Sequence, residues 1–234
     1  MDLNDLYSNN YVPYSNKPSA AVVRSKQGEW FPGIRIENIS YPLTISAVQN
    51  ALLGCLSEGY QPEKLFIDRS HDVMLSSWKE ELNIHTQPLE EERVPRPFSD
   101  PSLYQDLDIL QKLKMLLENA VVEQSNFPVS AIVVTEQGCY PGVNVVCSSW
   151  SMGLCAERIA IAKALTFGAN AIKALHIHTR EGEFSSPCGA CRQVMIEHLP
   201  NCQVHLHHAD GSESIHFTND LLPHSFRSSS LSKH

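Results

Sequence analysis

The feature that most limits how this chain can fold is that it carries one segment twice. "ISYPLTISAVQNALLG", from Ile39 to Gly54, aligns with "SSWSMGLCAERIAIAKA", from Ser148 to Ala164, so that Ser46 faces Cys155, Val48 faces Glu157 and Ala51 faces Ala160. The match extends on both sides. "YSNKPSAAVV" from Tyr14 lies over "QSNFPVSAIVV" from Gln124, with Pro18 on Pro128. "WFPGIRIENISY" lies over "CYPGVNVVCSSW" with Gly33 on Gly142, and "KLFI" at Lys64 over "ALHI" at Ala174. The offset stays at 109 or 110 residues, well beyond the roughly 20–50 residues of a solenoid repeat. An entire domain is duplicated, and both copies must fold alike.

Each copy reads as helix, strand, strand, helix, strand, helix, strand. In the second, "SAIVVT" is β-branched and strand-like, "CYPGVNVV" makes a turn and a strand, and "CAERIAIAKALTFG" is a helix stopped by Gly168. "ALHIHT" is a short strand, "PCGACRQVMIEHL" a helix starting at a proline, and "CQVHLHH" a closing strand. Leu103, Leu107, Leu110, Leu113 and Leu117 recur at steps of three or four and predict an amphipathic helix opening the copy. Between the copies, "EERVPRPFSDPS" carries three prolines and mixed charges, so 91–102 reads as a linker between domains at 1–90 and 103–234. Helices on a mixed sheet make an α/β sandwich.

Composition narrows the function. The 234 residues, 42% hydrophobic and 19% charged, suit one large or two modest compact domains. A formal charge of −8 without a basic cluster argues against a nucleic-acid partner, since such binders present a basic face. The start, "MDLNDLYSNN", is acidic and polar, unlike a secretory or transit signal, and no apolar run approaches the roughly 20 residues that span a bilayer. With seven cysteines, an odd number, the expectation is free thiols or metal ligands in the cytoplasm.

Only the second copy carries chemistry. "LCAER" and "SPCGACRQ" place Cys155, Cys188 and Cys191 where three thiolates could hold one zinc ion, leaving a fourth position open as catalytic zinc sites do. The helix N-termini beside them favour thiolate. Three thiolates outweigh Zn²⁺ by one negative charge, and a nearby cation restores the metal's acidity. Arg158 and Arg192 flank the motif, and Arg158 is the better candidate to bond the sulfurs. Glu157, two residues from Cys155, is placed as a proton carrier rather than a ligand. C-x-x-C alone also suits a structural zinc knuckle or a redox pair, and a lone C-A-E means little. The conjunction of C-x-E with a proline-led C-x-x-C, joined by helix and strand, is the zinc-deaminase arrangement in its three-cysteine form.

With those motifs in hand, the second copy resembles the cytidine deaminases of the cytidine/deoxycytidylate deaminase superfamily, from "SNFPVSA" through "PGVNV", "LCAERIAI" and "SPCGACRQV" to "LLPHSF". The first copy shares "YVPYSNKP" and "RIENISYPLTIS" with the same family. The resemblance implies tandem three-layer α/β/α sandwiches, each a five-stranded mixed sheet with helices on both faces. It implies hydrolytic deamination of cytidine or deoxycytidine at C4 with release of ammonia, as in pyrimidine salvage. Glu157 would carry a proton to N3 and then to the leaving amine. Phe127 would pack on the base, Asn144 would meet the sugar, and the backbones at Ala156 and Ser186 would meet the base's polar edge. Phe226 and Tyr41 would reach across a subunit boundary. From the residues alone, Phe127 and Phe226 serve a core equally well, and His176 and His178, two apart on a strand, read as core or surface residues.

The copies depart from the family at the sugar. The family has N-x-E eleven residues before the first zinc cysteine. The second copy has Asn144 but Val146 in place of the Glu, and the first has Glu37 but Arg35 in place of the Asn. A charged hydrogen bond lost at a sugar hydroxyl costs about 1.5–3 kcal/mol, which changes preference among nucleosides without abolishing deamination. A modified aminated nucleoside or a blasticidin-S-like antibiotic is the alternative substrate. Ser46 and Val48 disarm the first copy, and "DRSHDVMLSSWKEEL" offers only His71 and Asp72 as donors there, so one zinc per chain is expected. One live and one degenerate domain per chain implies a homodimer resembling the family's tetramer. A non-catalytic zinc-containing binding protein, which has no use for Glu157, and a polynucleotide-editing deaminase, which the acidic charge disfavours, are the competing readings.

Overall fold

The structure, a computed structural model, describes residues 1–68, 72–95 and 108–227. In the N-terminal half, α1 (Leu3–Ser8), β1 (Ala20–Ser25), β2 (Trp30–Ile34), α2 (Ala47–Ser57), β3 (Pro62–Ile67), α3 (Leu75–Leu82) and β4 (His85–Pro88) follow the expected order. The C-terminal half repeats it with α4 (Ile109–Leu116), β5 (Val129–Val134), β6 (Cys139–Val143), α5 (Ala156–Thr166), β7 (Ala174–Thr179), α6 (Gly189–His198) and β8 (Gln203–His207). It then adds β9 (Glu213–Phe217) and α7 (Thr218–Leu221).

Each half builds a mixed sheet. The first is ordered β2-β1-β3-β4, with β1 antiparallel to β2 and β3, and β3 parallel to β4. The second, β6-β5-β7-β8-β9, repeats that plan and closes with an antiparallel strand. Five strands in both halves was the expectation. Among the described residues the N-terminal sheet has four. After β8 the chain turns back at Gly211, whose φ of +88° suits glycine, and "ESIHF" pairs as β9. After β4 it leaves through a 3-10 turn at Glu91–Arg93 toward Pro95, which has no amide to donate to a further strand.

The repeated Pro-Gly pair has a packing cause. A Cβ on Gly33 would sit 2.4 Å from Ala47 O and Ala51 N, and one on Gly142 would sit 2.6 Å from Ala156 O and Ala160 N. In both halves the bare strand lets the reactive-segment helix lie directly on the sheet. In the C-terminal half α5 covers Ala131 and Val133 on one face of β5, while Leu113 and Leu116 of α4 pack on Ile132 from the other, a three-layer arrangement. Of the leucine stripe predicted for this helix, Leu113 and Leu117 are buried and Leu110 is half-buried, while Leu116, outside the stripe, is buried as well; Leu103 and Leu107 fall outside the described residues, as does 96–102 of the expected linker.

α5 is buried nearly all round, including Ile159, Ala160, Ile161 and Ala162, because its second face meets the other half. Val145, Leu154, Ile159 and Ala162 join the N-terminal core. Lys163 Nζ donates to Glu58 Oε1 at 2.5 Å, and Asn50 Nδ2 donates to Thr166 Oγ1 at 2.8 Å, both across the junction. Among the described residues no helix is long and apolar enough to cross a membrane.

Candidate metal and active site

Two helix starts create the reactive cluster. Cys155 is the N-cap of α5 in extended backbone, and Cys188 is the N-cap of α6, its sulfur accepting the Cys191 amide at 3.5 Å. Cys155 and Cys188 thus cap these helices; α6, expected to start at the proline, starts after Cys188, and Pro187 precedes the cap. Cys155 Sγ lies 3.8 Å from Cys188 Sγ, which lies 3.4 Å from Cys191 Sγ, and all three sulfurs fall within 4.8 Å of one another. Thiolates bound tetrahedrally at a Zn–S distance of about 2.3 Å stand about 3.8 Å apart. Among the described residues this is the one group of three metal-type donors so close together. Hydrogen bonds from the other two thiols and the amides at the start of α6 pull the Cys188 pKa down, while Cys155 and Cys191 are raised. The cluster favours at least one thiolate.

Arg158 answers that charge. Its guanidinium is buried, its Nη2 donates to Leu43 O at 3.0 Å, and its Nε has no hydrogen-bond partner among the described residues. Burial lowers its pKa, opposed by Cys191, Cys155 and Cys188. A buried donor left unpaired beside three sulfurs fits an anionic thiolate cluster, so the donor set suits zinc in number, spacing and charge. Glu157, 4% exposed in the first turn of α5, has its carboxyl pushed up to about 7, chiefly by burial and next by Cys188.

The other expected site residues have mixed outcomes. Phe127 presents a half-exposed ring. Asn144 Nδ2 donates to Phe127 O at 2.9 Å and Asn144 Oδ1 accepts from Val129 N at 2.8 Å, so its amide holds the Phe127 segment. Ala156 is fully buried. Ser186 N donates to Phe184 O at 2.8 Å, and Ser186 Oγ accepts from Arg192 Nη2 at 2.6 Å. Arg192 also donates to Pro187 O and Leu221 O, tying the cysteine loop to the C-terminal segment; its nearness in sequence was the only hint of this. Phe226 is half exposed, its carbonyl held by Gln193 Nε2 at 2.9 Å. Tyr41 is 79% exposed on a 3-10 turn, Tyr41–Leu43. His178 is buried with Nδ1 3.0 Å from His207 O, and the His176 ring stacks on those of His205 and His207, which agrees with sheet packing.

Sequence reading missed the reach of one half into the other's site. A cavity of about 440 Å³ beside Cys155 and Arg158 is lined on one side by Val146 and Trp150 and on the other by Leu43 and Thr44 of the N-terminal half. In the disarmed half, Ser46 caps α2 and its Oγ donates to Asp72 Oδ2 at 2.5 Å, while Asp72 Oδ1 accepts from Met74 N at 2.8 Å. A hydrogen-bonded carboxylate links the starts of α2 and α3 where sulfurs cluster between α5 and α6. His71 lies outside the described residues.

Comparison with known proteins finds relatives for both halves. Models of the cytidine and deoxycytidylate deaminase zinc-binding region match residues 103–204 and, separately, 5–87. A cytidine deaminase of Sporosarcina psychrophila is 37% identical over 126 residues, which are 53% of this chain and 93% of that relative. One from Halalkalibacterium halodurans is 34% identical over 111 residues, 47% of this chain and 84% of the relative. A crystal structure of cytidine deaminase from Burkholderia pseudomallei aligns at 37% identity with a TM-score of 0.47, covering 50% of this chain and 94% of that one.

Proposed function

Because the chain belongs to the cytidine and deoxycytidylate deaminase family, we propose that it is a zinc-dependent cytidine deaminase, with cytidine and deoxycytidine as substrates and uridine or deoxyuridine plus ammonia as products. In this reading 103–234 is the catalytic domain, 1–90 a degenerate partner and 91–102 their linker. The observation that carries it is a buried Glu157 beside three clustered thiols and a buried arginine. A zinc ion held only for structure has no need of that carboxyl.

Cys155, Cys188 and Cys191 would hold one zinc per chain. Zinc bound there supplies a Lewis acid that lets water act as a nucleophile near neutral pH. Glu157 takes a proton from the attacking water, delivers it to N3 of the pyrimidine, and serves the departing amine in turn. Its burial keeps bulk water from that transfer. Arg158 balances the excess thiolate charge. Phe127 offers a flat apolar face to the base, and Asn144 fixes the backbone that carries Phe127. The backbones at Ala156 and Ser186 remain the candidates for the base's polar edge.

Val146 favours a second reading within the same chemistry. It stands where the family has a sugar-binding Glu and lines the cavity beside Cys155, so a modified aminated nucleoside is the alternative substrate. Phe226 and Tyr41, both well exposed, suit contacts with a second copy, and the homodimer is part of the proposal. Seven unpaired cysteines suit a reducing cytoplasm. The test is ammonia release across cytidine, deoxycytidine, cytosine, deoxycytidylate and a blasticidin-like nucleoside. Turnover of cytidine or deoxycytidine above the others is expected, and release from none of them overturns the reading.

A further inference from the structure

The disarmed half keeps an opening where the armed half has its site. A cleft of about 230 Å³ is lined by Lys17, Arg35, Ser46, Ala47, Val48 and Asp72. In the alignment Lys17 stands for Phe127, Arg35 for Asn144, and Ala47 for Ala156. Ser46 and Val48 stand for Cys155 and Glu157. Asp72, bonded to Ser46 as Cys188 meets Cys155, stands at the start of α3 as Cys188 stands at the start of α6. The cleft therefore sits at the counterpart of the proposed nucleoside pocket. A second hollow of about 240 Å³ shares Arg35, Ser46 and Asp72 and extends to Tyr41 and Gln49.

The replacements change the walls without closing them. Groups that move protons or hold metal are gone, and two cations occupy the positions assigned to base and sugar. Two carboxylates stand nearby: Glu37 is paired with Arg35, while Asp72 is held by neutral donors and keeps its charge. Asp72 accepts from Ser46 Oγ and Met74 N, and buried Glu37 accepts from Tyr14 N, Ser15 N and Arg35 Nε. Arg35 uses its Nε on Glu37, leaving the terminal nitrogens of its fork as donors. Lys17 is exposed, and the eleven-residue α2 directs its N-terminus at the same opening. Cations beside a helix start favour a phosphate.

We propose that this cleft binds a nucleoside monophosphate without turning it over, with the phosphate on Lys17 and Arg35 and a sugar or base donor on Asp72. The phosphate part stands on this cleft alone; the nucleoside part rests on the deaminase reading of the armed site. Ser46 and Val48 leave the bound molecule unchanged, which makes the disarmed half a sensor of nucleotide beside a site for nucleosides.

Calorimetric titration of the full chain with cytidine 5′-monophosphate, cytidine and inorganic phosphate tests this, using the parent and Lys17→Glu. Lys17 is a surface residue, so the variant is expected to fold and to deaminate cytidine at the parent rate. The monophosphate should bind the parent more tightly than phosphate does, and Lys17→Glu should weaken it about tenfold or more, the loss of one charge-assisted contact. Monophosphate binding that Lys17→Glu leaves intact, or no monophosphate binding at all, overturns the proposal. Equal affinity for phosphate and monophosphate overturns its nucleoside part. A parent that releases no ammonia from cytidine but binds monophosphate through Lys17 would sink the catalytic reading and leave the anion site standing.

Discussion

Arg158 Nη2 donates to Leu43 O at 3.0 Å, a bond from the reactive helix of one half to the turn of the other. Its mirror image joins their counterparts, Gln49 Nε2 donating to Met152 O at 2.9 Å. The duplicated helices thus hold each other's loops, and only one of the two donors carries a charge. The N-terminal copy thus supplies the carbonyl that holds the arginine beside the thiols.

Replacing Arg158 by Gln, the residue of the other copy, should separate these roles. The bond to Leu43 O can survive, while the charge beside the sulfurs is lost. Zinc affinity, measured by chelator competition, should fall about 10- to 100-fold with the melting temperature little changed. Unchanged zinc affinity would deny Arg158 its charge-balancing role.

The Ser46–Asp72 bond should matter for folding but not for chemistry. Asp72→Ala leaves Ser46 Oγ and the Met74 amide without their acceptor, at a cost of about 1–3 kcal/mol. The urea midpoint should drop accordingly while zinc content and cytidine turnover stay at the parent level. A fall in zinc content would mean that this half takes part in metal binding after all.

His198 predicts an acid-side loss of stability. Burial pushes its pKa down to about 4, and its ring packs edge-on against Tyr11 at 4.8 Å between centroids. Unfolded, it titrates near the usual 6.5. Between those values the unfolded chain binds the proton and the native chain does not, so stability falls as pH drops from 6.5 toward 4. The difference reaches about 1–2 kcal/mol at pH 5. Urea unfolding at pH 7 and pH 5 should show it, and His198→Gln should flatten the dependence; an equal slope in both proteins would rule His198 out as its source.

Val146→Glu restores the carboxylate the family places at the sugar. It should raise kcat/KM for cytidine about tenfold or more. A variant no better than the parent would remove Val146 from the account of specificity.

Much of this architecture was legible because the duplication let each copy vouch for the other. Element order followed in both halves, and Gly33 and Gly142 were matched before their close approach to a helix was visible. The clustering of the three cysteines was legible because donors for one metal must combine residue type and spacing. Strand number was not: the family's five were carried over, and among the described residues nothing between Pro88 and Pro95 pairs as a fifth strand. Asp72 was weighed only as a metal donor, since its bond to Ser46 depends on how two helix starts converge. The Asn144 amide is engaged by the backbone around Phe127, and Arg158 by a carbonyl 115 residues away. Such pairings come from tertiary geometry, which no local pattern records.

The most direct test counts zinc and ammonia in the same preparations of the parent and Glu157→Gln. The account predicts one zinc per chain in both proteins, ammonia release from cytidine by the parent, and its loss in Glu157→Gln. Two zinc ions per chain, or undiminished release by Glu157→Gln, would contradict it.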